Sequence, residues 1–271
     1  MLIKLIERSL VYPRPSRERG DWRPKWLQPQ NVWFRSADST KLHGWYIPNP
    51  EAKRLIVYSH GNGEHVADQA NLVFRLQSQL SATVFVYDYR GYGRSRGKPT
   101  ERGCVADGMA AQRWLAEREG VDAEDIILMG RSIGGGVSVA AAAEQGARAL
   151  VLEATFSRMT DAAANLYPWL PVRLVMSNRY NSIKRMQKFN GPLFQSHGSN
   201  DEVVPIQLAR KLFDSSPSDD KQFYEIAYAR HNDTPPSAYY AALSTFLDRV
   251  DQEHEDALPA SIRRRNRQLV S

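Results

Sequence analysis

The fold prediction starts from one segment, Ile126-Ile-Leu-Met-Gly-Arg-Ser-Ile-Gly-Gly-Gly-Val-Ser-Val-Ala-Ala-Ala-Ala143. Its first four residues are apolar and predict a buried strand, and the small residues after Gly134 predict a helix. The glycines allow a sharp strand-to-helix turn, because a Cβ there would clash. Such a turn exposes Oγ of Ser132 and directs the N–H of Ile133 into the same space, at a helix N-terminus that favours negative charge. The alternative is a glycine-rich turn whose serine only caps the helix.

Apolar runs alternate with amphipathic stretches along the middle of the chain. The runs predicted as strands are Leu55–Ser59, Ala82–Tyr87, Ile126–Met129, Ala149–Glu153, Pro192–Ser196 and Gln222–Ile226. Helical patterns fill 65–80, 100–118, 133–145, 205–213 and 236–250, and an antiparallel hairpin is predicted upstream from Asn31–Ser36 and Lys41–Ile47. Near-continuous apolar strands are typical of parallel strands buried on both faces. We therefore predict an α/β fold with a mostly parallel central sheet and helices on both faces.

The domain prediction is a single unit over residues 27–252. Residues 1–26 are expected to form a basic segment packed on or beside it, and residues 253–271 a basic tail. The stretch 158–189, which contains Tyr167-Pro-Trp-Leu-Pro171, is long for a connection between two strands. We interpret it as a short lid insertion, and an ordinary crossover helix is the alternative.

Composition and glycine spacing exclude several classes of protein. The 271 residues are 42% hydrophobic and 24% charged, which excludes collagen, coiled coil and wholesale disorder. The single cysteine excludes a zinc site built on several thiolates. Gly61-Asn-Gly63 lacks the third glycine of the dinucleotide fingerprint, Gly91-Tyr-Gly93-Arg-Ser-Arg-Gly97 has the wrong spacing, and neither is followed by the Gly-Lys-Ser/Thr of a P-loop. We expect neither a cofactor nor a metal ion.

The net charge of +6 is concentrated at the two ends. Residues 1–26 contain seven basic and three acidic residues, and residues 261–271 contain four arginines and no acid. The tail has no aromatic residues for base stacking, so we expect no nucleic-acid partner. Basic termini suit peripheral contact with an anionic membrane, especially with Leu2, Ile3, Ile6 and Leu10 at near-helical spacing. The alternative is a first helix packed on the body and a solvated tail.

The location expected from the sequence is the cytoplasm, and membrane contact through the basic termini is a hypothesis in addition to it. The lone Cys104 cannot form an internal disulfide, which favours a reducing compartment. No run of about 18 apolar residues predicts a membrane-spanning helix. Charges at Lys4, Glu7 and Arg8 interrupt the first apolar stretch, which is therefore not a signal peptide.

A serine nucleophile needs a base, and the base needs an acid that orients it. Asp201 follows the strand that ends at Ser196, and His231 follows the last predicted strand. The order Ser…Asp…His, with each member after a strand, is that of the α/β-hydrolases. Glu202 is the rival acid, less favoured because Asp201 is nearer the strand end. The alternative is that Asp201 and His231 are solvated turn residues.

Five other histidines are poorer candidates for the base. His43 lies in the hairpin, His254 in the polar C-terminal region, His60 and His65 flank a loop upstream of the serine, and His197 is placed to support the loop of the acid. For the oxyanion, Ser59-His-Gly-Asn-Gly63 ends a strand, and its glycines allow close backbone approach. Main-chain N–H groups of Asn62 and Ile133 are the predicted donors. A plain glycine turn at Gly61–Gly63 is the alternative.

The chain resembles the serine α/β-hydrolases of the group that includes the membrane-associated protein depalmitoylases and their bacterial relatives. The resemblance is carried by Ser59-His-Gly-Asn-Gly63, Tyr87-Asp-Tyr-Arg-Gly-Tyr-Gly-Arg-Ser95, Gly130-Arg-Ser-Ile-Gly-Gly135, Tyr167-Pro-Trp-Leu-Pro171, His197-Gly-Ser-Asn-Asp201 and His231-Asn232. It implies the α/β-hydrolase fold, with Ser132 as nucleophile, Asp201 as acid, His231 as base, and Asn62 and Ile133 at the oxyanion hole. In the second block, Asp88 and Arg90 are expected to fix the loop beside the pocket.

The expected activity is hydrolysis of a small-molecule or lipid-like acyl ester or thioester through an acyl-enzyme. An apolar acyl site under the lid is expected from Leu166, Tyr167, Trp169, Leu170, Leu174 and Val175. The chain has no N-terminal cysteine cluster for acylation, unlike the depalmitoylases, so a protein-thioesterase role is not predicted. The same triad serves acyltransferases and peptidases, and a hydrolase-fold scaffold protein without activity is the remaining alternative.

Overall fold

The computed structural model describes residues 2–257, with side chains for residues 7–256. Most of the predicted tail, residues 258–271, lies outside the described residues, as do the side chains of Leu2, Ile3 and Ile6. Residues 253–257 continue the last helix.

Within residues 2–257, eight strands form one sheet in the order β1-β2-β4-β3-β5-β6-β7-β8. The strands are β1 Gln30–Arg35, β2 Lys41–Ile47, β3 Arg54–Ser59, β4 Ala82–Tyr87, β5 Ile127–Arg131, β6 Ala149–Glu153, β7 Leu193–Gly198 and β8 Lys221–Ile226. The pairs β1–β2 and β2–β4 are antiparallel and all other pairs are parallel. The predicted fold class and the opening hairpin are therefore confirmed.

The described helices are α1 Leu2–Val11, α2 Ala70–Leu80, α3 Glu101–Glu119, α4 Ile133–Gln145, α5 Met159–Leu166, α6 Val172–Val175, α7 Ser182–Met186, α8 Ile206–Asp214 and α9 Ser237–Ala257. The helix predicted over 65–80 is divided, because the Asp68 carboxylate accepts the N–H of His65 and closes a separate 3₁₀ turn. The helix predicted over 236–250 continues to Ala257, and the pair Arg249–Glu253 stabilises this extension. Within residues 2–257, no helix is both long and apolar enough to cross a bilayer.

Helices cover both faces of the sheet, and β4 illustrates how the sequence builds the two layers. Phe85 and Tyr87 are buried in one core with α3 and α4, whereas Val84 and Val86 are buried in the other with α2 and α9. All six residues of β4 are buried, as expected for a strand with apolar side chains on both sides. Because β3 to β8 run parallel, the loops after their carboxyl ends gather along one edge.

The segment between β6 and β7, residues 158–189, is called the lid segment here. It contains α5, α6 and α7, so the single crossover helix of the alternative interpretation is not present. The N–H of Met159 donates to the carbonyl of Arg179 at 2.9 Å, and this hydrogen bond joins the start of the lid segment to its later part. Glu7 of α1 accepts the backbone N–H groups of Ser177 and Asn178 at 2.8 and 2.7 Å. Helix α1 is therefore attached to the lid segment.

Candidate active site

Ser132 occupies the turn between β5 and α4 with φ 53° and ψ −118°. A positive φ is uncommon for a residue with a side chain, so neighbouring groups have to hold this conformation. The N–H of Ser132 donates to the carbonyl of Glu153 at 2.9 Å, and its carbonyl accepts the hydroxyl of Thr155 at 2.7 Å. A Cβ at Gly134 would lie 1.9 Å from the carbonyl oxygen of Ser59. Close backbone approach is therefore the reason for glycine at this position.

The structure brings Ser132, His231 and Asp201 together from three loops at the same edge of the sheet. Oγ of Ser132 lies 3.2 Å from Nε2 of His231, and Nδ1 of His231 lies 2.7 Å from Oδ2 of Asp201. Oδ1 of Asp201 accepts the N–H groups of Val203 and Val204 at 2.9 and 2.8 Å. This is the geometry in which an imidazole can take the serine proton while a carboxylate fixes its tautomer.

The surroundings of Asp201 keep its carboxyl group ionised. Burial raises its pKa, but hydrogen bonds from His197 and His231, together with the N–H of Val204, outweigh burial and hold the pKa well below the ordinary value. Nε2 of His197 lies 3.2 Å from Oδ2 and 2.7 Å from the carbonyl of Val204. His197 thus contacts the loop of the acid, as its position in the sequence indicates, while Glu202 is exposed.

Asn62 and Ile133 line the same cavity as Ser132. Ile133 is the first residue of α4, where backbone N–H groups have no partner within the helix. The Asn62 side chain accepts the hydroxyl of Tyr92 at 2.8 Å, which anchors its loop. Farther along that loop, Asp88 accepts the N–H of Val66 at 3.0 Å. The two residues predicted to supply the oxyanion donors therefore border the same cavity as Ser132.

A cavity of about 560 Å³ opens above Ser132 and is lined mostly by apolar side chains of α1, α5 and α6. Of the predicted acyl-site residues, Leu166, Tyr167, Leu170 and Val175 line it. Trp169 and Leu174 do not, and they are 74% and 82% exposed. On α6, Val172 and Val175 are three positions apart and share the face towards the cavity, which turns Leu174 outwards. Trp169 contacts Tyr167 edge-on with ring centroids 6.0 Å apart. The prediction of cavity contact was therefore wrong for these two residues.

Arg131 is a site residue that the sequence analysis missed. Its guanidinium donates to the backbone carbonyl of His231, lies 3.3 Å from Oδ1 of Asn232, and lies 3.5 Å from a carboxylate oxygen of Glu64. Glu64 in turn accepts the N–H of Gly61 at 2.9 Å, in the loop of Asn62. Arg131 therefore connects the loop of His231 with the loop of Asn62. The only signal in the sequence is its place before the serine.

Replacing Arg131 by glutamine is expected to lower kcat/KM about 10- to 100-fold, because His231 and Asn62 lose their common support and small misplacements cost rate heavily. Steady-state hydrolysis of a soluble ester measures the effect. Arg210→Gln is the matched control, since it removes an exposed arginine paired with Glu225 at 2.6 Å away from the site. Equal rates in the two variants would contradict the positioning role.

Within residues 7–256, no group of three or more His, Cys, Asp or Glu side chains is arranged to hold a metal ion. Glu153 is a buried acid beneath the serine turn, and burial raises its pKa. Its carboxyl group accepts the hydroxyl of Tyr239 at 2.5 Å. These contacts support the turn from below, and the chemistry available above it is that of the hydroxyl and the imidazole.

Comparison with known proteins places the chain in a family. The family model described as serine aminopeptidase, S33, matches residues 50–183. The uncharacterized protein Rv2307c of Mycobacterium tuberculosis is 32% identical over 206 residues, which are 75% of this chain and 73% of that protein. The α/β-hydrolase domain-containing protein 17C of Mus musculus is 29% identical over 248 residues, covering 90% of this chain and 74% of the mouse protein.

Solved structures agree on the fold. The esterase Pf2001 of Pyrococcus furiosus superposes with a TM-score of 0.73 at 20% identity, covering 87% of this chain and 96% of the esterase. The eight-stranded sheet and the loops at its edge define a hydrolase of the α/β class. The chain belongs to the α/β-hydrolase family, in the group identified above from its motifs.

Proposed function

We propose that this protein is a serine hydrolase that cleaves carboxylic esters or thioesters of apolar acyl groups through an acyl-enzyme. The observation that carries the proposal is the hydrogen-bonded series Ser132–His231–Asp201 at the base of a largely apolar cavity. A nucleophile, a base and an orienting acid in contact are what acyl transfer requires, and an apolar cavity suits an acyl chain.

The reaction follows from the positions of these groups. Nε2 of His231 takes the proton of Ser132 as Oγ bonds to the substrate carbonyl carbon, and the carbonyl oxygen becomes an oxyanion beside the N–H groups of Asn62 and Ile133. The alcohol or thiol leaves with the proton from His231. Water then attacks the acyl-enzyme by the same route, which releases the carboxylic acid and restores Oγ–H. Asp201 stays ionised throughout.

The name of the matched family model makes a peptidase the second candidate. An aminopeptidase has to bind a free amino terminus, and an available carboxylate is the natural partner for that charge. The two acidic side chains that line the cavity within residues 7–256 are Glu7 and Glu64. Glu7 accepts three hydrogen bonds from residues 177 and 178, and Glu64 is engaged by Arg131 and Gly61. An uncharged acyl chain therefore fits this cavity better than a peptide amine.

The experiment that tests the proposal combines a fluorophosphonate probe with p-nitrophenyl esters of increasing acyl length. Labelling of Ser132, together with release of nitrophenol and free acid, supports it. A folded protein inert towards the probe and the esters would instead favour a scaffold protein without activity. Transfer of the acyl group to an added alcohol, with no net hydrolysis, would reassign the protein as an acyltransferase.

The cavity wall formed by α5 should determine which acyl chain lengths the protein hydrolyses. We expect Ala163→Phe to lower kcat/KM for long esters by about fourfold for each methylene excluded from the cavity, and to change acetate hydrolysis little. Ala164→Phe is the control, because Ala164 is the next residue of the same helix and lines a different cavity. Identical chain-length profiles for both variants and the wild type would place the acyl group elsewhere.

A further inference from the structure

Six large apolar side chains around the mouth of the catalytic cavity are exposed to solvent. They are 41–82% exposed, and we call them the apolar rim: Leu10, Leu166, Trp169, Leu170, Leu174 and Val175. Four of them, Leu10, Leu166, Leu170 and Val175, also line the cavity, so the exposed surface continues into it. Exposed apolar patches of this kind mark sites of interaction with protein or membrane.

The two parts of the apolar rim are held together as one surface. Leu10 belongs to α1, and the other five residues belong to the lid segment. Glu7, one turn before Leu10, accepts the backbone N–H groups of Ser177 and Asn178 and also the side-chain amide of Asn178 at 2.9 Å. Leu10 and the five residues of the lid segment therefore keep a fixed arrangement and can contact the same partner together.

The groove beside the apolar rim is cationic. The lid segment contains six basic residues and one acidic residue, and two of these cations, Arg185 and Lys188, are paired with Glu101 and Glu144 outside the segment. Beside the rim, a groove of about 680 Å³ is lined by Arg158, Arg173 and Lys211 together with Leu170 and Leu174. The one acid in this segment, Asp161, lies 3.6 Å from Arg158 and 3.1 Å from Arg173, so two arginines share one carboxylate there, and Lys211 lines the same groove.

We propose that the apolar rim and the cationic groove dock this protein on the surface of an anionic phospholipid bilayer. Trp169 and the exposed aliphatic side chains suit the boundary between headgroups and acyl chains, and the arginines and lysine suit lipid phosphates. A second copy of this chain fits less well, since a two-fold contact would bring two cationic grooves together. Docking does not depend on hydrolysis, but it sets the cavity mouth against the bilayer.

The first test measures co-sedimentation of the full chain with vesicles of phosphatidylcholine alone or with about one-third phosphatidylglycerol. Wild type is expected to bind the anionic vesicles preferentially, and less at high salt, where charges are screened. The variant Trp169→Ser/Leu174→Ser is expected to bind at least about tenfold more weakly. The control Trp33→Ser/Phe74→Ser removes two other exposed apolar side chains, and its binding should equal that of wild type.

The second test measures the contribution of the cationic groove to vesicle binding and checks that binding does not depend on Ser132. Arg173→Gln/Lys211→Gln is expected to weaken binding to anionic vesicles by about fivefold per charge removed, with little change on neutral vesicles.

Ser132→Ala is expected to bind as wild type does, so loss of the proposed hydrolysis would not be mistaken for loss of docking. The proposal would be overturned if the wild-type protein sedimented with neither kind of vesicle. It would also be overturned if the variant without Trp169 and Leu174 bound as strongly as wild type. A dimer that these two substitutions dissociate, without vesicle binding, would assign the rim to self-association.

Discussion

Ser132→Ala is expected to lower kcat for ester hydrolysis by at least about 10⁴-fold and to abolish labelling by a fluorophosphonate. The reason is that Oγ is the atom proposed to bond to the acyl group, and it lies 3.2 Å from Nε2 of His231. The substitution leaves the proposed oxyanion donors at Asn62 and Ile133 unchanged, so a residual rate above that in water is also expected. Stopped assays at high enzyme concentration and mass spectrometry of the probe adduct measure both effects.

A matched control for Ser132→Ala is Ser138→Ala, in the same helix-forming segment. Ser138 lies in α4, six residues after Ser132; it is buried and does not line the catalytic cavity. Its loss should leave labelling intact. If the Ser132→Ala protein still reacts with the probe at the wild-type rate, the nucleophile is another residue and the proposed mechanism is rejected.

Asp201→Asn is expected to lower kcat by about 10³- to 10⁴-fold, because an amide at this position stabilises the wrong tautomer of His231 and cannot balance the imidazolium. The neighbouring contacts make this effect specific to ionisation: the N–H groups of Val203 and Val204 still find an acceptor in the asparagine oxygen. The measurement is kcat across a pH series. The loss should persist at every pH, since the pKa of Asp201 lies well below its ordinary value in the wild type.

Glu202→Gln provides the control for the acid, because it makes the same chemical change one residue later. Glu202 is exposed, whereas Oδ2 of Asp201 lies 2.7 Å from Nδ1 of His231. We therefore expect Glu202→Gln to retain activity within about twofold. Comparable losses in the two variants would mean that the loop as a whole, and not one carboxylate, supports the imidazole.

The strands and the three candidate catalytic residues were accessible from the sequence for a common reason. Parallel strands buried on both faces are continuous apolar runs, and the loops after their carboxyl ends meet at one edge of the sheet. Ser132, Asp201 and His231 each follow such a run, so their proximity could be inferred without knowing any distance. The order of the strands across the sheet, with β4 between β2 and β3, was not needed for that inference.

Other parts of the site depend on contacts that no local pattern encodes. Hydrophobicity assigned Trp169 and Leu174 to the cavity together with Leu170, but the side towards which each points is set by the turns of the lid segment. The contact between Arg131 and the carbonyl of His231 joins residues 100 positions apart. The predicted helix over 65–80 is divided because the carboxylate of Asp68 accepts the N–H of His65 and forms a separate 3₁₀ turn.

The attachment of α1 to the lid segment has a practical consequence for anyone who produces this protein. Val11 and Leu10 belong to the wall of the cavity, and Glu7 fastens that wall to residues 177 and 178. A shortened version beginning at residue 27 would lack one side of this cavity, even if its sheet folded normally.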